Sequence, residues 1–162
     1  IMSNTTEILV SASMFGKLYS KMIMEVADKY SMNKVEVDIL LFLNNNPKYD
    51  TAKDIVELRG IAKSYVTKSV DKLVAKNFLS IHADKEDRRV IHLKVENLAG
   101  EVIKEALEAQ RKYVDTIYNG ISKEEEEVLK EIVNKMKKRV IVLKEGRLVQ
   151  DYEKGKYDNE AI

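Results

Sequence analysis

The sequence predicts a mainly α fold that carries one small β-hairpin. Three observations lead there. Apolar residues recur at helical spacing through most of the chain. Two short β-prone runs, Phe78 to Ala83 and Val90 to Val95, flank a single charged turn. The composition is that of a folded, helix-rich chain: 162 residues, 44% hydrophobic and 34% charged, with one proline.

The elements follow in order. From Ile8 to Tyr30, the residues Ile8, Ala12, Phe15, Tyr19, Met22, Ile23 and Val26 form a single helical stripe. Asn33-Lys34-Val35-Glu36 has the form of a capping box and opens a second helix through Leu43, closed by Asn44-Asn45-Asn46-Pro47. A third, shorter helix begins at Asp50 or Thr51 with Ile55, Val56 and Leu58 inward, and Gly60 ends it. The fourth, about Lys63 to Asn77, buries Val66, Val70, Leu73 and Val74. Two short helices joined by a tight Gly-containing turn make a helix-turn-helix pattern. The β-prone runs then form a hairpin whose tip is Asp84-Lys85-Glu86-Asp87-Arg88-Arg89. Helix resumes from Leu98 to about Tyr118, with Leu98, Val102, Ala106, Ala109, Tyr113 and Ile117 in register, and Asn119-Gly120 breaks it. Ser122-Lys123-Glu124-Glu125 is a second capping box, opening a last long helix striped by Val128, Ile132, Met136, Val140 and Leu143. The tail from Arg147 to Ile162 is polar and without period, and is expected to be loosely ordered.

Composition removes several classes of function. With no Cys, disulfides, thiol catalysis, thiol redox sensing and thiolate metal sites are excluded. The two His, His82 and His92, fall on the hairpin strands; they make a poor metal site and are expected to face solvent or phosphate. No metal or other cofactor is expected. No apolar run approaches the roughly 20 residues that span a bilayer, and no signal-like segment opens the chain; a cytoplasmic location and no membrane partner are expected. No nucleophile–base pair or phosphate-cradling glycine loop is visible, so the chain is not expected to be an enzyme.

From about Met32 to Val95 the sequence resembles the multiple-antibiotic-resistance regulator (MarR) family. The resemblance rests on Thr51 to Ile61 (TAKDIVELRGI) for the first member of the helix-turn-helix, Ser64 to Leu73 (SYVTKSVDKL) for the recognition helix, Asp84 to Arg89 (DKEDRR) for the wing tip, and Ile121 to Leu129 (ISKEEEEVL) for the start of the last dimerisation helix. The chain departs from the family pattern in four places. Asn77 stands where Gly is common after the recognition helix, and Ile81 and His82 where the wing strand often carries basic residues. Val95-Glu96 replaces a usual Leu-Thr, leaving Asn97 as the expected cap, and Ala62 stands where a hydroxyl cap is common.

The resemblance implies a winged helix-turn-helix flanked by N- and C-terminal dimerisation helices. The division expected is an N-terminal dimerisation helix over 1–31, a DNA-binding lobe over 32–96, C-terminal dimerisation helices over 97–146 and a polar tail over 147–162. It implies a homodimer that reads a palindromic operator in double-stranded DNA, one recognition helix per half-site. In the wing it implies that Arg89 enters the minor groove while Asp87 holds its guanidinium, with Arg88 meeting phosphate or solvent. The residues of the fourth helix agree. A rotation of roughly 100° per residue puts Ser64, Lys68, Asp71 and Lys72 opposite the buried stripe and Tyr65 and Thr67 on its flanks. Short polar and long basic groups are what a helix in the major groove needs. From Lys63 to Lys76, four Lys stand against Asp71 alone, a local balance of +3 in a chain whose net charge is +1.

Family members commonly respond to a small anionic or aromatic ligand between the DNA-binding lobe and the dimer helices. The residues expected to line such a pocket are Phe15, Tyr19, Tyr30, Phe42 and Tyr113, with Met14. The function expected is a transcriptional regulator, a repressor relieved by a small-molecule effector. The alternative is a winged-helix protein-interaction module that has lost specific DNA binding, favoured by the missing basic residues on the wing strand and opposed by Arg88, Arg89 and the Lys face.

Overall fold

In a computed structural model of the chain, residues 4–137, 141–144 and 147–151 are described. The elements are α1 (Asn4–Lys29), α2 (Lys34–Asn45), α3 (Ala52–Arg59), α4 (Lys63–Ala75), β1 (Leu79–Ala83), β2 (Ile91–Val95), α5 (Gly100–Ile117), α6 (Lys123–Lys137), β3 (Ile141–Lys144) and β4 (Arg147–Asp151). They fall into two compact units, residues 1–114 and 115–162.

The first unit is built around α2. Every residue from Glu36 to Leu43 is buried, Glu36 and Asp38 included, so this helix is enclosed on all sides and central. Ile23, Val26 and Ala27 of α1, Ile55 of α3, Val66, Val70 and Leu73 of α4, and Val102, Ile103 and Ala106 of α5 complete the core. Leu79 and Leu93 add one inward residue from each hairpin strand. The strands pair antiparallel with Leu79 opposite Val95 and His82 opposite His92. A third segment joins them: Thr51 bridges His92, and the Leu93 N–H donates to the Asp50 carbonyl at 2.7 Å. The hairpin is thereby fastened to the residues that start α3, a connection the sequence reading lacks.

The two predicted capping boxes form, at α2 and α6, and α3 carries a third beyond those predicted. Asn33 and Glu36 close a reciprocal capping box on α2, Thr51 and Asp54 close one on α3, and Ser122 and Glu125 exchange the same pair of bonds at α6. Gly60 ends α3 with φ 63°. Asn77 takes φ 56°, and Phe78 N–H to Leu73 O with Asn77 N–H to Val74 O completes a Schellman closure of α4. Asn thus serves where Gly is the usual residue. Asn97 does not cap α5. It opens a 3₁₀ turn, Asn97–Ala99, whose flanking residue Glu96 is extended and makes no side-chain cap bond.

The second unit corrects the expected C-terminal boundary. The last helix is described only to Lys137, and Leu143, expected on its stripe, lies in β3. Val140 lies outside the described residues. Arg147 to Asp151, expected to be loosely ordered, pairs antiparallel with β3. Ile141 and Val142 are β-branched, which costs rotamer freedom in a helix and suits a pleated strand.

Candidate nucleic-acid interface

α4 presents the predicted face. Lys63, Ser64, Tyr65, Thr67, Lys68, Asp71 and Lys72 are all exposed, while Val66, Ser69, Val70 and Leu73 are buried. Tyr65 is 64% exposed. The Thr67 hydroxyl donates back to the Lys63 carbonyl at 3.0 Å, leaving its methyl and lone pairs outward. Ala62, extended at the entry to the helix, offers no side-chain cap to the first turn.

The +3 balance of this stretch is not all directed outward. Lys72 Nζ lies 3.4 Å from Oε1 of Glu36, a carboxylate only 2% exposed that also closes the α2 capping box. Lys76 Nζ donates to the Ser31 carbonyl at 2.8 Å, at the end of α1, where Ser31 takes φ 51°. These two lysines fasten the C-terminal half of α4 to the α1–α2 corner. Lys76 is thereby drawn away from the outer face, while Lys72, exposed despite its ion pair, stays accessible beside Lys63 and Lys68. Side-chain spacing alone could not separate Lys68 from Lys72, because both fall opposite the buried stripe.

At the hairpin tip, Arg89 and Asp87 meet fork to fork. Arg89 Nε is 3.0 Å from Asp87 Oδ1 and Nη2 is 3.1 Å from Oδ2, and the Arg89 N–H also donates to Oδ1. The guanidinium beside it holds the Asp87 carboxyl below its ordinary range. The Arg89 side chain is 91% exposed, so the pair fixes its direction without removing it from solvent. Arg88 is exposed as well. The turn is braced from within by Asp84, whose Oδ1 accepts the N–H groups of Glu86 and Asp87, each at 2.8 Å.

His92 does not face solvent or phosphate as expected. Its Nδ1 lies 2.7 Å from Asp50 Oδ1 and its Nε2 3.2 Å from Asp84 Oδ2. Hydrogen bonding to Asp50 first, and to Asp84 second, raises its pKa above the ordinary 6.5. Asp50 and Asp84 are 34 residues apart in sequence, so only the fold brings them to one ring. His82, its cross-strand neighbour, instead lies 2.9 Å from the Ser80 hydroxyl, which donates to Glu96 Oε1 at 2.5 Å. Because the serine proton is directed to the glutamate, this is not a nucleophile activated by a base. Among the described residues, no group of three or more His, Cys, Asp or Glu is placed to hold a metal ion, and no helix is long and apolar enough to cross a membrane.

The residues expected to line an effector pocket fall into different settings. Tyr19 and Tyr113 meet edge to face with ring centroids 5.4 Å apart, and the Tyr19 hydroxyl accepts from Gln110 at 3.0 Å. The Lys34 ammonium sits over the Tyr19 ring at 5.4 Å and pairs with Asp38. Burial raises the Tyr19 pKa. The second carboxylate oxygen of Asp38 is buried without a hydrogen-bond partner. Tyr30 is apart from this group, donating to Glu105 at 2.8 Å. Phe42 is a core residue, and Phe15 and Met14 are exposed.

A helix-turn-helix followed by a hairpin pinned to its first helix defines a winged-helix protein. Residues 30–90 match the model of the MarR family. No curated protein matches the sequence. Among solved structures, the chain is similar to a MarR protein from Peptoclostridium difficile (TM-score 0.72, 18% identity, 84% of this chain and 90% of that one). It is also similar to the transcriptional regulator BldR from Sulfolobus solfataricus (TM-score 0.61, 24% identity, 86% and 100%). A third similar structure is BpsR from Bordetella bronchiseptica (TM-score 0.65, 13% identity, 84% and 96%), described with a mechanism for regulation of its DNA binding by 6-hydroxynicotinic acid. At these identities the likeness speaks to the fold.

Proposed function

We propose that the chain is a homodimeric, sequence-specific DNA-binding transcriptional regulator, a repressor relieved by a small-molecule effector, acting in the cytoplasm and not as an enzyme. The observation that carries this reading is the pairing, on a MarR-type fold, of an outward face on α4 with an oriented guanidinium at the wing tip. α4 enters the major groove, where Lys68 and Ser64 reach base edges, Tyr65 and Thr67 supply apolar and polar contact, and Lys63 meets phosphate. Arg89, held by Asp87, enters the adjacent minor groove, where a weakly hydrated, forked cation suits a narrow electronegative channel. Arg88 meets phosphate. Lys72 does so by exchanging Glu36 for a phosphate oxygen, which its exposure permits.

The dimer is supported by apolar residues the single chain leaves in water: Ile8, Leu9 and Phe15 on α1, and Val128, Ile132 and Met136 on α6. For the effector, the cluster of Tyr19, Tyr113, Gln110, Lys34 and Asp38 offers stacking surface and a cation suited to a small aromatic anion, and the regulation described for BpsR supports that class. Exposed Ile81 and Ile91 on the wing favour the second reading, a protein-interaction module.

A mobility shift against the DNA upstream of the coding sequence, followed by footprinting, separates the two. The regulator reading expects a protected palindrome whose half-sites lie about one helical turn apart. Failure to shift that DNA at low salt, with the protein folded, favours the interaction module.

A further inference from the structure

The contacts of His92 form a chain of bonds that ends on the residue proposed to enter the minor groove. Asp50, at the start of α3, accepts from one ring nitrogen, and Asp84, at the start of the wing turn, faces the other. The opposite oxygen of Asp84 holds the N–H of Asp87, and the Asp87 carboxylate holds Arg89. Arg89 is thus oriented by a carboxylate whose own backbone is anchored through Asp84 to the imidazole. A neutral imidazole has a single N–H, so it can satisfy only one of two facing carboxylates and turns a lone pair toward the other; the imidazolium donates to both. Asp50 and Asp84 are the charged groups bonded to the ring, and His82 is its titratable cross-strand neighbour on β1.

We propose that His92 is a positioning residue of the wing: as an imidazolium it pins the Asp84–Arg89 turn to the start of α3, so that the wing's hold on DNA follows the protonation of this one ring. The gating half of this proposal rests on the DNA-binding reading; the pin itself does not. The sign follows from the raised folded-state pKa. The pin is complete below the ordinary 6.5 of an unfolded histidine and is lost as pH rises through the higher folded value.

The first test needs no DNA. In the full chain, the NMR titration of the His92 ring should lie above 6.5, and Asp50→Asn and Asp84→Asn should each lower it. A ring that titrates at or below that value, or that ignores both substitutions, overturns the pin. The second test measures affinity for the footprinted DNA at fixed salt across the same pH range. Wild-type affinity should fall about three- to tenfold as the ring deprotonates. His92→Gln and Arg89→Ala should each flatten this profile, whereas His82→Gln should keep it. A far-UV circular dichroism spectrum of His92→Gln that overlays the wild type at the assay temperature shows that the flattening is not loss of structure. A pH profile that persists in His92→Gln or in Arg89→Ala overturns the gating. If no variant and no pH gives DNA binding while the ring titrates as expected, the DNA-binding reading has failed and the pin has not.

Discussion

At the scale of single residues, the interface divides its cations by what holds them. Arg89 is oriented by Asp87 yet almost fully exposed, and an exposed ion pair of this kind contributes little to folding. On the proposed DNA-binding reading, its geometry prepares it for a groove. Arg89→Ala is expected to lower affinity for the specific site about ten- to hundredfold while leaving the melting temperature unchanged. Arg89→Lys should restore little of it, because an ammonium cannot fork between two groove acceptors. Lys68 and Lys72 are expected to differ. Lys68→Ala should relax base preference at one position of each half-site, whereas Lys72→Ala should weaken binding to all sequences and reduce the salt slope by about one. Competition assays on specific and scrambled DNA read both, and equal behaviour of the two mutants contradicts the division.

At the scale of elements, backbone closures position the proposed reading surface. Replacing Thr51 by Ala removes the capping box of α3 and is expected to cost about 1 kcal/mol in a denaturant melt. Asn77→Gly should be neutral or slightly stabilising at φ 56°, while Asn77→Ala should destabilise. The boxes at Asn33–Glu36 and Ser122–Glu125 were legible in the sequence because capping is a local code, written in residues three apart. So was the winged-helix layout, from stripes, turn residues and the DKEDRR tip. What could not be read was long range. Nothing local to Lys76 says that it reaches the end of α1, and nothing local to His92 says that Asp50 lies beside it. The last helix was overextended for a related reason: Val140 and Leu143 continue a helical stripe, while the strand pairing that claims Leu143 depends on a partner segment further on.

At the scale of the whole molecule, the exposed stripes of α1 and α6 make the oligomeric state the first consequence to check. Sedimentation of the wild type should give a dimer, and Ile132→Glu should shift it to monomer and weaken DNA binding more than either half-site contact does alone, since two tethered recognition helices bind with an effective concentration that one lacks. A wild-type monomer that still binds a palindrome tightly contradicts the two-fold reading. The central claim is that α4 and the wing together read DNA, and a salt-titrated binding isotherm of wild type and Arg89→Ala on the footprinted site and on a scrambled duplex tests it most directly. The account predicts that wild type prefers its site at every salt concentration, that log affinity falls linearly with log salt, and that Arg89→Ala loses much of the preference. Equal wild-type affinity for both duplexes, or an Arg89→Ala isotherm that overlays the wild type, would contradict it.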